Sequence, residues 1–136
     1  MEFEDPRAAE SLKEAEAASA RAYVPYSRFR MGAAVMTATN AVVPGALVEN
    51  VSLGLAMCAE RAALFGVVAR GEGKPEVLAL FAPRTNRRLT WPCGACLQVA
   101  LELGGPDLLV VVSDGREIAQ ARLGELAPRL PFKGLR

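Results

Sequence analysis

The chain contains no histidine, and only three of its 136 residues are cysteine. The absence of histidine removes the commonest nitrogen ligand for a metal ion, so a metal site here would depend on thiolates, with carboxylates as the remaining choice. Three cysteines are too few for a disulfide framework, and an odd number argues further against one. Metal binding or catalysis is therefore the better explanation for the cysteines.

Long apolar runs and an excess of charge are also missing. No run approaches the roughly 20 apolar residues that a membrane-spanning helix needs. The chain begins "MEFEDPRAAE", which is acidic and polar and unlike a secretory signal peptide. A net charge of +1 gives no electrostatic reason to bind a nucleic acid polymer or an anionic membrane. These absences predict a cytoplasmic protein without membrane or nucleic acid partners.

What is present fits a packed globular protein. Apolar residues make up 51% of the sequence and charged residues 23%. No internal repeat or low-complexity linker divides the chain, and its length suits one core. We therefore expect a single domain over residues 1–136.

Helices and strands alternate along the predicted chain. Residue composition, glycines and prolines predict helices over 7–22, 58–69, 94–103 and 123–127. Apolar runs and turn signals predict strands over 31–38, 41–49, 76–82, 108–113 and 117–123. Pro44 places the second strand at an edge or a bulge, and the Asp114–Gly115 pair predicts a hairpin. This order implies a mixed sheet covered by helices on both faces.

The cysteines are spaced as metal ligands would be. Cys93 and Cys96 form a Cys-x-x-Cys pair, which places two sulfur atoms on one helical turn, and Cys58 stands at another predicted helix start. Three protein ligands leave one position of a tetrahedral zinc ion open, as in catalytic zinc sites. A Cys-x-x-Cys pair can also be a redox pair or two buried apolar residues, but all three cysteines at helix starts favour a zinc site.

Two neighbours of Cys58 carry the expected chemistry. Glu60 stands two residues after a ligand, so its carboxylate could face the open position and act as a general acid and base. Alternatively, it is a first-turn glutamate that stabilises the helix dipole. Arg61 could hydrogen-bond the thiolates and compensate their charge, or it could be an ordinary surface cation. Its position next to Glu60 favours compensation.

Four segments together resemble the small homotetrameric cytidine deaminases. They are "YVPYSRFRMGAAV", "VEN", "CAERAAL" and "PCGACLQV", in the same order and at similar spacing over nearly the whole chain. Cys-Ala-Glu followed by Pro-Cys-x-x-Cys is the signature of zinc deaminases, with cysteine in place of histidine as the first ligand. "CAER" and "YVPYSRF" narrow the resemblance to enzymes that act on nucleosides rather than on DNA or RNA.

The resemblance implies a fold, a cofactor and an assembly. The fold would be a three-layer α/β/α sandwich with a mixed five-stranded sheet. Each chain would bind one Zn²⁺ through Cys58, Cys93 and Cys96, and Glu60 would transfer the protons of the reaction. The protein would form a homotetramer, or alternatively a dimer. It would act in pyrimidine salvage.

The resemblance also implies how a small nucleoside-like substrate is held. The amide of Ala59 and the carbonyl of Cys93 would bind the edge of the pyrimidine, and Phe29 would pack against the base. Glu49 matches a glutamate that binds the ribose hydroxyls. In the family a phenylalanine near the C-terminus reaches a neighbouring active site.

The chain departs from the family pattern at several of these positions. Leu47 replaces the asparagine that binds the sugar, and an apolar side chain can neither donate nor accept a hydrogen bond. Trp91 stands where a small serine is usual, so it could reshape a wall of the pocket. Leu97 replaces a usual arginine, and Phe132 lies one residue later than the family's phenylalanine.

Three functions follow as hypotheses. The first is hydrolytic deamination of cytidine or deoxycytidine. The second, which Leu47 and Trp91 favour, is deamination of a related amino-heterocycle, such as a modified or sugar-free cytosine or a cytosine-containing antibiotic. The third is a zinc-stabilised oligomerisation module without catalysis, which would have no need of Glu60 as a proton carrier.

Overall fold

The computed structural model describes residues 1–134. Its α-helices are α1 (Ala8–Ser19), α2 (Ala59–Arg70), α3 (Gly94–Gly104) and α4 (Leu123–Leu126), and a short 3₁₀ helix covers Leu53–Leu55. Its strands are β1 (Gly32–Thr37), β2 (Val42–Ala46), β3 (Pro75–Phe81), β4 (Leu109–Ser113) and β5 (Ile118–Arg122). Among these described residues, no helix has the length and apolar character to cross a membrane.

The five strands form one mixed sheet in the order β2-β1-β3-β4-β5. β1 is antiparallel to both β2 and β3, β3 is parallel to β4, and β4 is antiparallel to β5. The parallel pair lies in the interior of the sheet, where both faces are covered. β2 is an edge strand, which confirms the position predicted from Pro44 because a proline cannot donate to a further strand.

Helices cover both faces of the sheet, so the predicted three-layer α/β/α architecture is confirmed. On one face α1 packs through Leu12 and Ala15 against Ala34 and Met36 of β1. On the other face α2 and α3 share a larger core. Its fully buried members include Leu64, Leu78, Val110 and Val112. Alternate residues of β1 point to the two faces, as the period of a strand requires.

The predicted elements are all present, and most boundaries agree to within one residue. A larger correction concerns α1, which ends at Ser19 rather than Ala22. Tyr23 explains the early end, since its N–H donates to the Leu47 carbonyl and its own carbonyl accepts from Glu49. This tertiary pairing draws the chain into an extended bridge that helical continuation would prevent. The second strand is also shorter than predicted and ends at Ala46.

Two glycines let helices lie directly on the sheet. A Cβ atom at Gly32 would come 2.1 Å from the Ala15 carbonyl oxygen of α1, and one at Gly45 would come 2.3 Å from the Ala59 carbonyl oxygen of α2. Both neighbours are backbone atoms, which cannot rotate away as a side chain could. Gly45 therefore sets the distance between β2 and the first turn of α2.

Gly45→Ala tests this close contact. The added methyl group would push the start of α2 away from β2, and we expect the free energy of unfolding to fall by about 3 kcal/mol, near the upper end of overpacking effects. Denaturant titration measures the loss. Gly54→Ala is the matched control, because a Cβ at Gly54 meets nothing within 4 Å. Equal stability of the two variants would show that α2 can move away from β2 without a cost in stability.

Candidate functional site

The sheet topology brings the starts of α2 and α3 together. β2 and β3 are both antiparallel to β1, so they run in the same direction and end at the same edge of the sheet. α2 follows β2 and α3 follows β3 along the chain. Both helices therefore begin near this edge, which is where ligands bind in open α/β sheets.

Each helix start carries cysteine. Cys58 is the N-cap residue of α2, Cys93 is the N-cap residue of α3, and Cys96 lies in the first turn of α3. The three sulfur atoms lie within 4.8 Å of one another. Cys93 Sγ is 3.5 Å from Cys96 Sγ. The fold thus assembles the three cysteines that the sequence analysis selected.

The sulfur positions fit a zinc ion. Tetrahedral ligation with Zn–S bonds of 2.3 Å separates two sulfur atoms by about 3.8 Å. The observed spacings, 3.5 Å for one pair and 4.8 Å as the upper limit, lie on either side of this value. The described chain, residues 1–134, offers this one cluster of three or more metal-ligating groups. The donor set therefore suits a zinc ion with three thiolates.

Arg61 lies beside the cysteine cluster. Its Nη2 donates to Cys58 Sγ at 3.4 Å, across one helical turn. The side chain is half-buried, and its Nε has no hydrogen-bond partner in the described protein. The sulfur atoms raise the pKa of the guanidinium, so it stays charged. The contact predicted for Arg61 is present, and it can offset the negative charge of a thiolate.

The thiols differ in acidity. A hydrogen bond from Cys96, with support from Arg61, lowers the pKa of Cys58 to about 5. The same interaction with Cys58, together with burial, raises the pKa of Cys96. Cys58 therefore becomes a thiolate, the form that binds a metal, more readily than Cys96 does.

Glu60 is a buried acid next to the cluster. It is 1% exposed, and its Oε1 has no hydrogen-bond partner among the described residues. Burial raises the pKa of its carboxyl group to about 7, and the nearby Cys58 acts in the same direction. A buried carboxyl group with an oxygen that lacks a partner is costly to the fold, and such groups are found where function requires them. A first-turn glutamate can stabilise the helix dipole without being buried, so that role does not explain why Glu60 is buried.

Backbone donors complete the inner part of the site. The first amides of an α-helix have no intrahelical acceptor, and neither α2 nor α3 has a side chain that caps them. Ala59, the first residue of α2, is fully buried. Its amide and those beside it provide partial positive charge at the place where the thiolates gather.

Glu49 and Leu47 lie on the strand-like segment after β2. The Leu47 amide donates to the Met31 carbonyl at 3.1 Å, and the Leu47 side chain packs against the core of the α2 face. The Glu49 carboxylate accepts the amides of Tyr26 and Ser27 at 3.1 and 3.2 Å. These contacts place Glu49 against the 23–29 loop, which contains Phe29.

The aromatic residues selected from the sequence are less enclosed. Phe29 and Trp91 are both half-buried and pack against the edge of the same core. Trp91 also lines an open cleft of about 530 Å³ with Arg88 and Leu89. Phe132 is 38% exposed in this chain and lies near Gly105, where α3 ends.

Sequence reasoning did not single out Ser27 as a site residue. Its hydroxyl donates to Glu49 Oε2, and its amide donates to Oε1. The two residues are 22 positions apart, so no local pattern could pair them. Its place inside "YVPYSRF" was the one available signal.

The comparisons with known proteins all point to the same family. The family model of the cytidine and deoxycytidylate deaminase zinc-binding region matches residues 6–113. The chain is 43% identical over 118 residues to a cytidine deaminase of Halalkalibacterium halodurans, covering 86% of this chain and 88% of that protein. It is 44% identical over 111 residues to a cytidine deaminase of Mycobacterium tuberculosis, covering 82% of this chain and 79% of that protein.

Solved structures agree with the fold. The cytidine deaminase of Burkholderia pseudomallei superposes with a TM-score of 0.82 at 39% identity, covering 88% of this chain and 95% of that one. The cytidine deaminase of Mycobacterium tuberculosis gives a TM-score of 0.78 at 40% identity, covering 96% of this chain and all of that one. The zinc-binding family model spans most of the chain, both curated relatives are more than 40% identical to it, and the structure places the three cysteines in one cluster. This chain therefore belongs to the cytidine and deoxycytidylate deaminase family.

Proposed function

We propose that this protein is a zinc-dependent aminohydrolase that converts cytidine or deoxycytidine and water to uridine or deoxyuridine and ammonia. The observation that carries the proposal is Glu60, a buried carboxyl group with an unpartnered oxygen beside three clustered thiols. Family membership and the names of the relatives support the same reaction.

The cysteines would hold the metal. Cys58, Cys93 and Cys96 provide three thiolates, and Arg61 offsets part of their negative charge. When bound, zinc supplies Lewis acidity that makes water nucleophilic near neutral pH. Leu97 is apolar and adds no second positive charge near the thiolates. Among the described residues, the guanidinium of Arg61 is the one that contacts a cysteine sulfur.

Glu60 would move the protons. Its carboxylate takes a proton from the attacking water and gives it to ring nitrogen N3 while the water oxygen bonds to C4. It then takes the second proton of that water and passes it to the amino group, so the C4–N4 bond breaks and ammonia leaves. Atoms balance, since one water is consumed and one ammonia released. The buried position of Glu60 keeps bulk water from competing for these protons.

Substrate contacts would come from backbone and loop groups. The free amide of Ala59 would donate to the pyrimidine edge, and the Cys93 carbonyl would accept from it. That carbonyl already accepts the Leu97 amide at 2.9 Å, and its second lone pair is available. Phe29 would pack against the base, and Glu49 would bind the sugar.

An assay of ammonia release tests the function directly. Zinc-loaded protein would be incubated with cytidine, deoxycytidine, free cytosine and base-modified cytosine nucleosides. We expect the highest kcat/KM with cytidine or deoxycytidine. Turnover of none of these compounds would contradict the proposal and favour the non-catalytic zinc module.

Leu47 supports a second candidate, deamination of a related amino-heterocycle. Its side chain is packed against the core, so it offers a sugar hydroxyl no partner. Trp91, at the rim of the neighbouring cleft, could fit a larger or modified base. A preference for cytidine over the modified nucleosides and free cytosine would exclude this candidate.

Leu47→Asn measures what the missing polar group costs. A restored hydrogen bond to a sugar hydroxyl is worth about 1 kcal/mol, so we expect kcat/KM for cytidine to rise about fivefold. Free cytosine, which has no sugar, should gain nothing. Val48→Asn is the matched control, because Val48 is the exposed neighbour and points to the other side of the segment. An unchanged value for cytidine would show that Leu47 does not face the sugar.

A homotetramer remains our proposal for the assembly, supported by an apolar groove between α2 and α3. Phe65 and Val68 on α2 are 46% and 60% exposed, and Val99 and Leu103 line the same groove. Such a surface is typical of a contact with a second copy. Sedimentation velocity of the protein and of Val68→Glu would test this, with a lower mass expected for the variant. The cytoplasmic location likewise stays a prediction.

A further inference from the structure

The carboxylate of Glu49 is held by the loop that leads to Phe29. Its Oε1 accepts two amide hydrogens, from Tyr26 at 3.1 Å and from Ser27 at 3.2 Å. Its Oε2 accepts the hydroxyl of Ser27. These hydrogen bonds lower the pKa of Glu49, with the Ser27 hydroxyl as the largest cause. The carboxylate is therefore ionised and fixed in orientation.

The Ser27 hydroxyl joins two parts of the site. While it donates its one hydrogen to Glu49, its oxygen accepts the amide of Phe29 at 3.0 Å. Arg28, between the two, has a φ of +59°, a left-handed conformation that side chains rarely adopt. The hydroxyl thus ties the chain together on both sides of a strained residue.

We propose that Ser27 is a positioning residue that holds Glu49 and Phe29 as one unit for substrate binding. The inference deepens the proposed function, on which it rests, because Glu49 and Phe29 are the expected sugar and base contacts. Ser27 itself need not touch the substrate. It acts by fixing the direction of the Glu49 carboxylate and the backbone of Phe29.

Counting lone pairs shows why this orientation matters. A carboxylate oxygen accepts two hydrogen bonds in its plane. Both positions on Oε1 are taken by amides, and one of the two on Oε2 is taken by Ser27. Glu49 therefore has one acceptor position left for a sugar hydroxyl, and Leu47 supplies none. Because only one acceptor position remains to bind the sugar hydroxyl, a small rotation of the carboxylate removes the sugar contact.

Steady-state kinetics of Ser27→Ala tests the proposal. We expect KM for cytidine to rise about tenfold, the loss of a hydrogen bond to a charged group, while kcat changes less than about twofold. Ser27→Thr keeps the hydroxyl and should restore KM. Ser52→Ala is the matched control, since the Ser52 side chain makes no capping hydrogen bond. A fall in kcat alone, or no change, would overturn the proposal.

A double-mutant cycle separates positioning from a direct contact. If Ser27 acts mainly through Glu49, then Ser27→Ala should raise KM by well under tenfold in a Glu49→Ala background, where only its hydrogen bond with the Phe29 amide remains, because coupled residues are not additive. An undiminished tenfold effect in that background would show that Ser27 does not act through Glu49, contrary to the proposal.

Hydrogen–deuterium exchange gives a readout that needs no activity. Ser27→Ala should speed exchange of the Phe29 amide, whose acceptor is the lost hydroxyl, and of the Tyr26 amide bound to Glu49. Ser27→Thr should exchange as the parent protein does. If the parent released no ammonia from cytidine, the proposed function would fail on that result. Unchanged exchange in Ser27→Ala would overturn the positioning role whatever the substrate.

Discussion

Glu60→Gln is expected to lower the rate of ammonia release from cytidine by about a hundredfold to ten-thousandfold, the range that a general acid–base group contributes. Glutamine has nearly the same shape as glutamate but cannot accept and return protons at neutral pH. The measurement is kcat with cytidine at saturation, together with the zinc content of the purified variant.

Zinc content separates catalysis from structure in this experiment. Glu60 is not one of the three clustered ligands, so the variant should bind as much zinc as the parent. It should also unfold at the same temperature or a higher one, because a neutral amide is less costly to bury than a carboxylate with an oxygen that lacks a partner. Glu10→Gln, on the exposed side of α1, is the control for loss of a charge. Full activity in Glu60→Gln would show that Glu60 does not carry the protons of the reaction.

Cys93→Ala is expected to lose both zinc and turnover. Removal of groups that merely support a ligand costs about 10- to 100-fold in metal affinity, so loss of a ligand should exceed about a hundredfold. Thermal unfolding should also move to lower temperature, because metal binding and folding are coupled. Metal analysis after dialysis and a melting curve measure these effects.

The neighbouring residue provides a close control for this variant. Gly94→Ala adds a methyl group at the next position, where a Cβ meets nothing within 4 Å, and should keep its zinc. Chelation of the parent protein at neutral pH should reproduce the loss of activity, and added zinc should reverse it. Full zinc occupancy in Cys93→Ala would refute the assignment of Cys93 as a ligand.

Local patterns in the sequence predicted most of the fold. The apolar run of β3 and the hairpin turn at Asp114 and Gly115 depend on neighbours in sequence, and both are found where expected. The close contacts at Gly32 and Gly45 could not be predicted, because a glycine signals a close approach only once its partner helix is known. The end of α1 was misplaced for the same reason, since the pairing of Tyr23 with Leu47 is a tertiary contact.

The candidate site divides in the same way. A spacing of three residues links Cys93 with Cys96 and Cys58 with Arg61. The zinc deaminase signature links these two pairs, so their grouping could be predicted. The depth at which Glu60 is buried could not, because it depends on the packing of α2 against the sheet. Nor could the contact of Glu49 with Ser27, which joins two loops distant in sequence.

The position of the cysteines on two separate helices has a consequence for how the protein unfolds. Cys58 and Cys93 stand 35 positions apart, with α2 and β3 between them. An ion bound to both closes this stretch into a loop, and a cross-link of that length restricts the unfolded chain by about 4 kcal/mol if it acts as a disulfide does. The metal would thus be a reversible cross-link, and its removal should let the starts of α2 and α3 separate before the core between α1 and the sheet opens.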